Sequence, residues 1–188
     1  MRTNLIALSV PFLLMGMGSA QAANQANVEF LGNIQAVSCD INVNGQNQVV
    51  LGSVRTSDFT TASTPVAAGQ TDFQLTLSGC DALKTAGKAQ VEISGDTVPG
   101  TTNIFLQKSK NPTSNAGVMI LDDKKQPIEN GKAVQMAEIT VPTEEGGQFA
   151  SLDNVSIKLT AAYGSTATDK DVTTGTFKAP VLFSFVYE

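Results

Sequence analysis

The sequence predicts an all-β domain built as an antiparallel sandwich or barrel, and three observations support this prediction. Short runs of alternating apolar and polar residues recur along the chain, as in strands with one buried face. Gly, Pro, Asn and Asp, which favour turns, separate these runs. Helical spacing is nearly absent, although residues 81–88 could form one or two helical turns. Short strands separated by frequent turns are typical of antiparallel architectures.

Residues 1–22 are predicted to form a secretory signal peptide. Arg2 gives the positive start, residues 5–17 are mainly apolar, and Ala20-Gln21-Ala22 is an A-x-A cleavage site. The apolar run is shorter than the roughly 20 residues that a membrane-spanning helix needs. We therefore expect the mature chain to begin at Ala23, to be exported, and to have no membrane span. An uncleaved anchor is the alternative, and the small residues before Ala23 disfavour it.

The composition of the mature chain argues against several classes of function. Removing 22 of the 188 residues leaves 166, which is the size of one domain. Without Arg2 the chain has 11 basic and 17 acidic residues, a net charge of −6, which argues against nucleic acid as a partner. The chain has no His, the commonest general base and metal ligand. It also has no G-x-S-x-G motif, so we expect no enzyme, no catalytic residues, no cofactor and no metal.

Cys39 and Cys80 are the two cysteines of the chain. An even number of cysteines in an exported protein indicates disulfide bonding, and two residues allow one pairing. The bond closes a loop of about 40 residues, which corresponds to roughly 4 kcal/mol of lost chain entropy in the unfolded state. Metal ligation or a redox pair is the alternative, but both need closer spacing or partners that this sequence lacks.

Residues 24–35 have the pattern of a strand, and the residues that follow are out of phase with it. Their apolar face comprises Ala26, Val28, Phe30, Gly32 and Ile34, and Leu31 is the exception on the polar face. From Val37 onward the apolar positions are odd: Val37, Cys39, Ile41 and Val43. A single strand cannot change phase, because a slip of one residue turns every side chain to the opposite face. Either a β-bulge joins the two segments, or the first segment serves a different hydrophobic core.

Further strands are predicted in order along the chain. They comprise residues 48–51 after the Asn44-Gly45 hairpin signal, 73–77, 91–93, 104–106, 117–121, 128–131, 139–141 and 155–163. The run at 117–121 is apolar enough to be buried on both faces. Residues 164–176 form a polar loop of Ser, Thr, Gly and Asp. That loop is predicted to be solvated, although loops of this kind can also bind ligands.

The C-terminal run from Pro180 onward is predicted to be a strand that is apolar on both faces. Its side chains divide into Val181, Phe183, Phe185 and Tyr187 on one face and Leu182, Ser184 and Val186 on the other. No charged residue interrupts the run before Glu188. Such a strand at an exposed edge would promote aggregation. We therefore expect it to be paired within its own fold or covered by another chain.

Several motifs together resemble the subunits of chaperone–usher pili, in particular the type 1 fimbrial rod subunits. In order these are Val28-x-Phe30-x-Gly32-x-Ile34, Cys39, Val50-Leu51-Gly52-x-Val54, Phe73-x-Leu75-x-Leu77-x-x-Cys80, Gly117-Val118-x-Ile120-Leu121-Asp122, Ala162-Tyr163 and Phe183-x-Phe185-x-Tyr187. Each motif alone is common, but their order, the signal peptide, the two cysteines and the penultimate tyrosine are specific together. The resemblance covers the whole mature chain.

The resemblance implies an incomplete immunoglobulin-like sandwich that lacks its last strand. Residues 36–188 form this pilin domain, and residues 23–35 form an N-terminal donor-strand extension. The donor residues are Val28, Phe30, Gly32 and Ile34. The groove edge that the chaperone binds comprises Val181, Phe183, Phe185, Tyr187 and the terminal Glu188. The implied partners are a periplasmic chaperone, an outer-membrane usher and identical or related pilins, in a fimbria at the cell surface.

Other functions remain open at this point. A minor or adaptor pilin and a single-domain adhesin have the same fold as a rod subunit. A tip adhesin would need an additional N-terminal lectin domain and no donor strand. The phase change after Ile34 favours a donor strand over a bulge once the resemblance is included. Gly32 then suits a close approach of the neighbouring subunit, and a simple bend is the alternative.

Overall fold

The computed structural model describes residues 37–43, 48–111, 113–140, 144–145, 148–149 and 151–188, with backbone alone at 144–145 and 148–149. The predicted signal peptide, the predicted N-terminal extension and the Asn44-Gly45 turn lie outside the described residues. The described strands are β1 (Asp40–Val43), β2 (Thr71–Ser78), β3 (Gly87–Ser94), β4 (Ala116–Leu121), β5 (Lys132–Ile139), β6 (Glu144–Glu145), β7 (Gln148–Phe149), β8 (Ser156–Ser165) and β9 (Leu182–Tyr187). Helical structure in this part of the chain is limited to single 3-10 turns at Thr56–Asp58 and Asp169–Asp171.

The strands form two main antiparallel sheets and a small hairpin. The first sheet has the order β1-β2-β8-β4, and the second has the order β5-β3-β9. β6 and β7 pair separately. In the two main sheets, strands that are adjacent are distant in sequence, as in the pairing of Phe73 with Leu159. The prediction of an all-β antiparallel domain is confirmed.

The main hydrophobic core lies between the two sheets. Phe73 and Leu75 of β2 join Val91 and Ile93 of β3 in one buried cluster. Their neighbours along each strand are more exposed, as expected when one face of a sheet is buried. Burying each of these side chains stabilises the fold by about 1.5–3 kcal/mol. The two sheets therefore form a sandwich rather than a barrel.

β4 is buried on both faces along its whole length, as its sequence predicts. Val118 and Ile120 face the main core. Met119 and Leu121 belong instead to a second cluster, which also contains Val98, Ile104, Leu106 and Ala162. The connection between β3 and β4 thus covers the outer face of β4, and the Phe105 amide donates to the Val118 carbonyl at 2.7 Å. The short run predicted at 104–106 contributes isolated bridges rather than a strand.

Two local predictions are wrong, and a third is shifted. Residues 81–88 are not helical: β3 begins at Gly87 and pairs with β5 and β9, so tertiary pairing overrides local preference. Residues 48–51 do not form a strand, although Val49 and Leu51 pack against the main core. Residues 128–131 lead into β5, which begins one residue later at Lys132. Pairing partners decide these cases, and the sequence pattern alone does not identify them.

Candidate functional site

β9 presents one apolar face to the core and lies at the edge of its sheet. It pairs with β3, with Val91 opposite Phe185 and Ile93 opposite Phe183. Residues opposite each other in an antiparallel pair point to the same side, and these two β3 side chains are fully buried. Phe183, Phe185 and Tyr187 therefore face inward, as the alternation predicts. Val181 and Glu188 lie just outside the two ends of the strand.

The opposite edge of β9 has no strand partner within the described residues. β9 is the last strand in the order β5-β3-β9, and β1 is the last strand of the other sheet. β1 and β9 contact each other, but no ladder joins them in the part of the chain that the structure describes. Among the described residues the sandwich is therefore open between β1 and β9, and an edge of this kind is one that a further strand can pair with.

Apolar side chains along this open side are only partly covered. They pack against the main core while remaining half-buried, and they comprise Ile41, Val43, Val49, Leu51, Val181 and Phe183. The Phe183 ring lies 6.0 Å from that of Phe73, measured between centroids. Phe185 is 9% exposed and packs with Leu77 in a neighbouring cluster. We call this half-buried strip the open groove.

The C-terminus is fixed at one end of the open groove. The Lys88 amide donates to the main-chain oxygen of Glu188 at 2.6 Å, and the Glu188 amide donates to the Lys88 carbonyl at 3.1 Å. The Tyr187 hydroxyl donates to the Thr85 carbonyl at 2.7 Å, and burial raises the pKa of Tyr187. A Cβ on Gly87 would lie 2.7 Å from the Tyr187 ring. Gly87 is thus the residue that lets the terminal strand approach β3 this closely.

The predicted disulfide between Cys39 and Cys80 is present, with the two Cα atoms 4.2 Å apart. Cys39 directly precedes β1, and Cys80 follows the end of β2. The Ser38 hydroxyl and amide both donate to Asp81 Oδ2, at 2.7 and 2.9 Å. The Asp81 amide donates back to the Ser38 carbonyl at 3.0 Å. These hydrogen bonds, with that from the hydroxyl first, lower the pKa of the Asp81 carboxyl.

Only some of the predicted site residues lie in the described part of the chain. It contains the two cysteines and the β9 residues, while Val28, Phe30, Gly32 and Ile34 lie outside the described residues. Ser38, Asp81 and Gly87 were missed in the sequence. Ser38 and Asp81 each adjoin a cysteine, and that position is the one signal that could have indicated their contact.

Two further features of the described residues concern clusters of possible metal ligands and long apolar helices. The structure brings together no cluster of three or more His, Cys, Asp and Glu side chains among them. No helix in that part of the chain is long and apolar enough to cross a bilayer.

Two antiparallel sheets packed face to face, with a disulfide beside the first strand, define an immunoglobulin-like sandwich of the kind found in pilus subunits. Comparison with known proteins agrees with this class. The model of the fimbrial protein family matches residues 28–188. The chain therefore belongs to the fimbrial protein family and is a pilus subunit of the chaperone–usher type. Members of this family are structural proteins, and the chain is accordingly not an enzyme.

Individual relatives cover most of the chain. It is 30% identical over 168 residues to fimbrial protein 987P of Escherichia coli, which covers 86% of this chain and 81% of the relative. It is 28% identical over 197 residues to a type-1 fimbrial protein subunit of Serratia marcescens, with both chains covered completely. The crystal structure of the P pilus rod subunit PapA is similar in fold, with a TM-score of 0.52 and 18% identity. That comparison covers 87% of this chain and all of PapA.

Proposed function

We propose that this protein is the structural subunit of an adhesive surface fimbria and that it polymerises by donor-strand exchange. Residues 23–35 of one copy enter the open groove of the next copy and complete its sandwich. The inserted face comprises Val28, Phe30, Gly32 and Ile34. The observation that supports the proposal is the edge of β9 with which no described strand pairs, beside half-buried apolar side chains.

The physical argument starts from the instability of an open edge. An apolar edge strand presents unpaired backbone groups and promotes aggregation unless something covers it. Addition of a β-strand pairs the backbone groups of the edge and covers its apolar side chains, because the added backbone extends the sheet and alternate side chains fill the groove. The alternation of residues 24–35 matches this requirement. Its change of phase before Val37 fits a segment that serves a neighbour's core.

The favourable and unfavourable free-energy terms of strand insertion are of comparable size. Burying Val28, Phe30 and Ile34 contributes about 1.5–3 kcal/mol each. Each new backbone hydrogen bond adds a net of about 1 kcal/mol. Ordering the segment opposes this by about 1–2 kcal/mol per residue. We therefore expect the durability of the polymer to be kinetic, since release of the strand requires the host sandwich to open.

The proposed strand exchange also implies a route of export and assembly. Signal peptide 1–22 directs the chain to the periplasm, where a chaperone covers the open groove and binds the β9 edge at Val181, Phe183, Phe185, Tyr187 and the Glu188 carboxylate. An outer-membrane usher then exchanges the chaperone strand for residues 23–35 of the next subunit. Two relatives described as a type-1 fimbrial subunit and a fimbrial protein support a surface location.

A substitution at Gly32 tests the proposal. Gly32→Leu adds a side chain on the inserted face, at the position where the neighbouring core comes close. We expect normal amounts of chaperone-bound subunit and a loss of filaments, measured by co-purification with the chaperone and by filament yield. Asn33→Leu is the matched control, because the same side chain then points away from the groove. Normal filaments from Gly32→Leu, or equal loss from both variants, would contradict the proposal.

A further inference from the structure

The outer strands of the two main sheets differ in how their edges are covered. β1 and β9 border the open groove, and isolated bridges from Phe105 and Pro127 pair with β4. β5 is the remaining outer strand, and no strand or bridge of the described residues pairs with its outer edge. Such an edge presents backbone groups that a strand of another copy can join. Within the described residues, β5 is therefore a second edge that competes with β9 for added strands.

β5 contains a β-bulge in its pairing with β3. Ala89 of β3 lies opposite Ala137. The next residue of β3, Gln90, lies opposite Gln135, so Met136 is an extra residue in β5. Met136 and Ala137 are consecutive, yet both pack against the same buried cluster. Two residues of one strand that oppose one residue of its partner are the defining feature of a bulge.

The bulge divides the outer edge of β5 into two short stretches. Residues 132–135 precede Met136 in the strand, and residues 137–139 follow it. A bulge bends its strand and increases the local twist, so a straight incoming strand cannot pair along both stretches. β9, in contrast, pairs with β3 from Leu182 to Tyr187 without a shift of register. The backbone of β9 is therefore regular along the whole strand.

Charged side chains distinguish the two edges further. Lys132 and Glu138 of β5 are exposed and lie near the two ends of the strand. β9 contains no charged residue. Charged side chains and bulges are both features by which edge strands avoid pairing with other chains. β5 combines the two features, and β9 has neither.

We propose that the bulge at Met136 closes the edge of β5 to strand addition and so confines strand exchange to β9. This inference rests on the proposed function and adds the feature that selects the edge. Backbone hydrogen bonds carry little sequence specificity, so a regular edge accepts many strands. Without the bulge, the occupant of the β5 edge is β5 of a second copy, because two identical edges related by a two-fold axis pair antiparallel.

Deletion of the extra residue tests this role. Deleting either Met136 or Ala137 leaves one residue opposite Ala89 and restores regular alternation along β5. Met136→Ala and Ala137→Gly are the matched controls, because they shorten the same side chains and keep the bulge. Each variant is purified as its complex with the chaperone, which covers the β9 edge, and light scattering measures the mass. The deletion complexes should double in mass, whereas the substitution complexes and the unchanged complex should keep one subunit each.

Hydrogen exchange of the backbone amides locates the new contact. In the doubled complexes, the outward amides of β5 should exchange about tenfold more slowly than in the unchanged complex, because a second copy now pairs with them. The amides of β9 should exchange at the same rate in both complexes. Slower exchange at β9 instead of β5 would place the contact at the wrong edge and contradict the proposal.

Three further outcomes overturn the role of the bulge. Folded deletion complexes that keep one subunit each are one such outcome, and equal doubling by the substitution variants is another. Loss of the fold in both deletions, with both substitutions folded, would show that core packing alone requires the bulge. The unchanged complex tests the proposed function separately. If the chaperone leaves the outward amides of β9 unprotected, strand exchange at β9 fails, whatever the deletions show.

Discussion

At the scale of single residues, close approaches of the backbone decide which side chains the sandwich accepts. Gly117 in β4 lies so near the Phe105 carbonyl that a Cβ would overlap it, and Ile104 Cγ2 would be 3.0 Å away. Gly52 presents the opposite situation, since its nearest contact would be 3.7 Å from a Cβ. The sequence does not distinguish the two glycines, but the surrounding atoms require glycine at position 117 and leave space for a side chain at position 52.

Gly117→Ala should destabilise the subunit by about 1–3 kcal/mol, because the opposing atom belongs to a backbone bridge that cannot rotate away. Gly52→Ala is the matched control and should be neutral or stabilising by up to about 1 kcal/mol. Guanidinium unfolding of the two purified variants beside the unchanged protein measures the difference. Equal unfolding midpoints for both variants would show that β4 can shift to accommodate a methyl group.

The hydrogen bonds between Ser38 and Asp81 predict a dependence of stability on pH. They lower the pKa of the folded Asp81 carboxyl below its usual 3.8. The carboxylate therefore stabilises the fold above that pH, and the contribution is lost as the pH falls through the lowered value. Asp81→Asn cannot ionise, so its difference from the unchanged protein should shrink as the pH falls from about 7 to about 3.

Melting temperatures of the two proteins across that pH range measure this effect. Ser38→Ala is the companion variant, because the hydrogen bond from the Ser38 hydroxyl is the main cause of the lowered pKa of Asp81. It should remove part of the same pH dependence and add little in combination with Asp81→Asn. If the difference in melting temperature between Asp81→Asn and the unchanged protein stays constant with pH, the charge of the Asp81 carboxylate does not stabilise the contact with Ser38.

At the scale of elements, β9 has two roles that are difficult to separate. It is a core strand, because Phe183 and Phe185 pack against the two main clusters. It is also the edge that borders the open groove. The hydrogen bonds between Lys88 and Glu188 and the Tyr187 contact with Thr85 hold its end on β3 and the preceding loop. Removing β9 therefore removes part of the core and not merely a binding edge.

Deletion of residues 183–188 should abolish accumulation of the subunit. The deletion uncovers Val91 and Ile93, which are fully buried in the intact protein, and leaves β3 at the edge of its sheet. Immunoblots of soluble and insoluble cell fractions measure the loss. Tyr187→Phe is a milder companion, because it removes only the hydroxyl contact and should leave the subunit soluble. A deletion variant that stays soluble and bound to the chaperone would contradict a core role for β9.

At the scale of the whole molecule, the proposed donor strand and the groove that would receive a strand lie in different parts of each copy. The proposed giving element, residues 23–35, precedes β1, and the open groove lies between β1 and β9. Each copy in a filament then contributes one strand to the next copy and accepts one. A subunit that can only receive should end a filament.

Deletion of residues 23–32 produces such a receiver. It leaves the described sandwich intact, so the variant should fold with the chaperone and accept a neighbour's strand. Co-expressed with the unchanged subunit, it should shorten filaments in proportion to its dose, as measured by length distributions in electron micrographs. Co-expression of the 183–188 deletion is the control and should leave lengths nearly unchanged, because that subunit is lost before assembly. Equal shortening by both deletions would show that the two ends do not have separate roles.

The sequence by itself determined the all-β class, the strands with strong alternation and the pairing of the two cysteines. The alternation of apolar and polar residues is a local property of a strand, so β2, β8 and the inward face of β9 could be predicted from their own residues. The double burial of β4 was also evident from its unbroken apolar run. The motifs together were sufficient to identify the family.

Only the tertiary structure decided which strands meet and which edge stays open. Residues 48–51 have the composition of a strand, yet no described neighbour pairs with them. Residues 81–88 have helical spacing, yet Gly87 begins β3 because two strands and the Tyr187 ring pack there. Pairing in this fold joins residues as distant as Phe73 and Leu159. A contact between distant residues depends on the whole arrangement of the chain, and no local pattern encodes it.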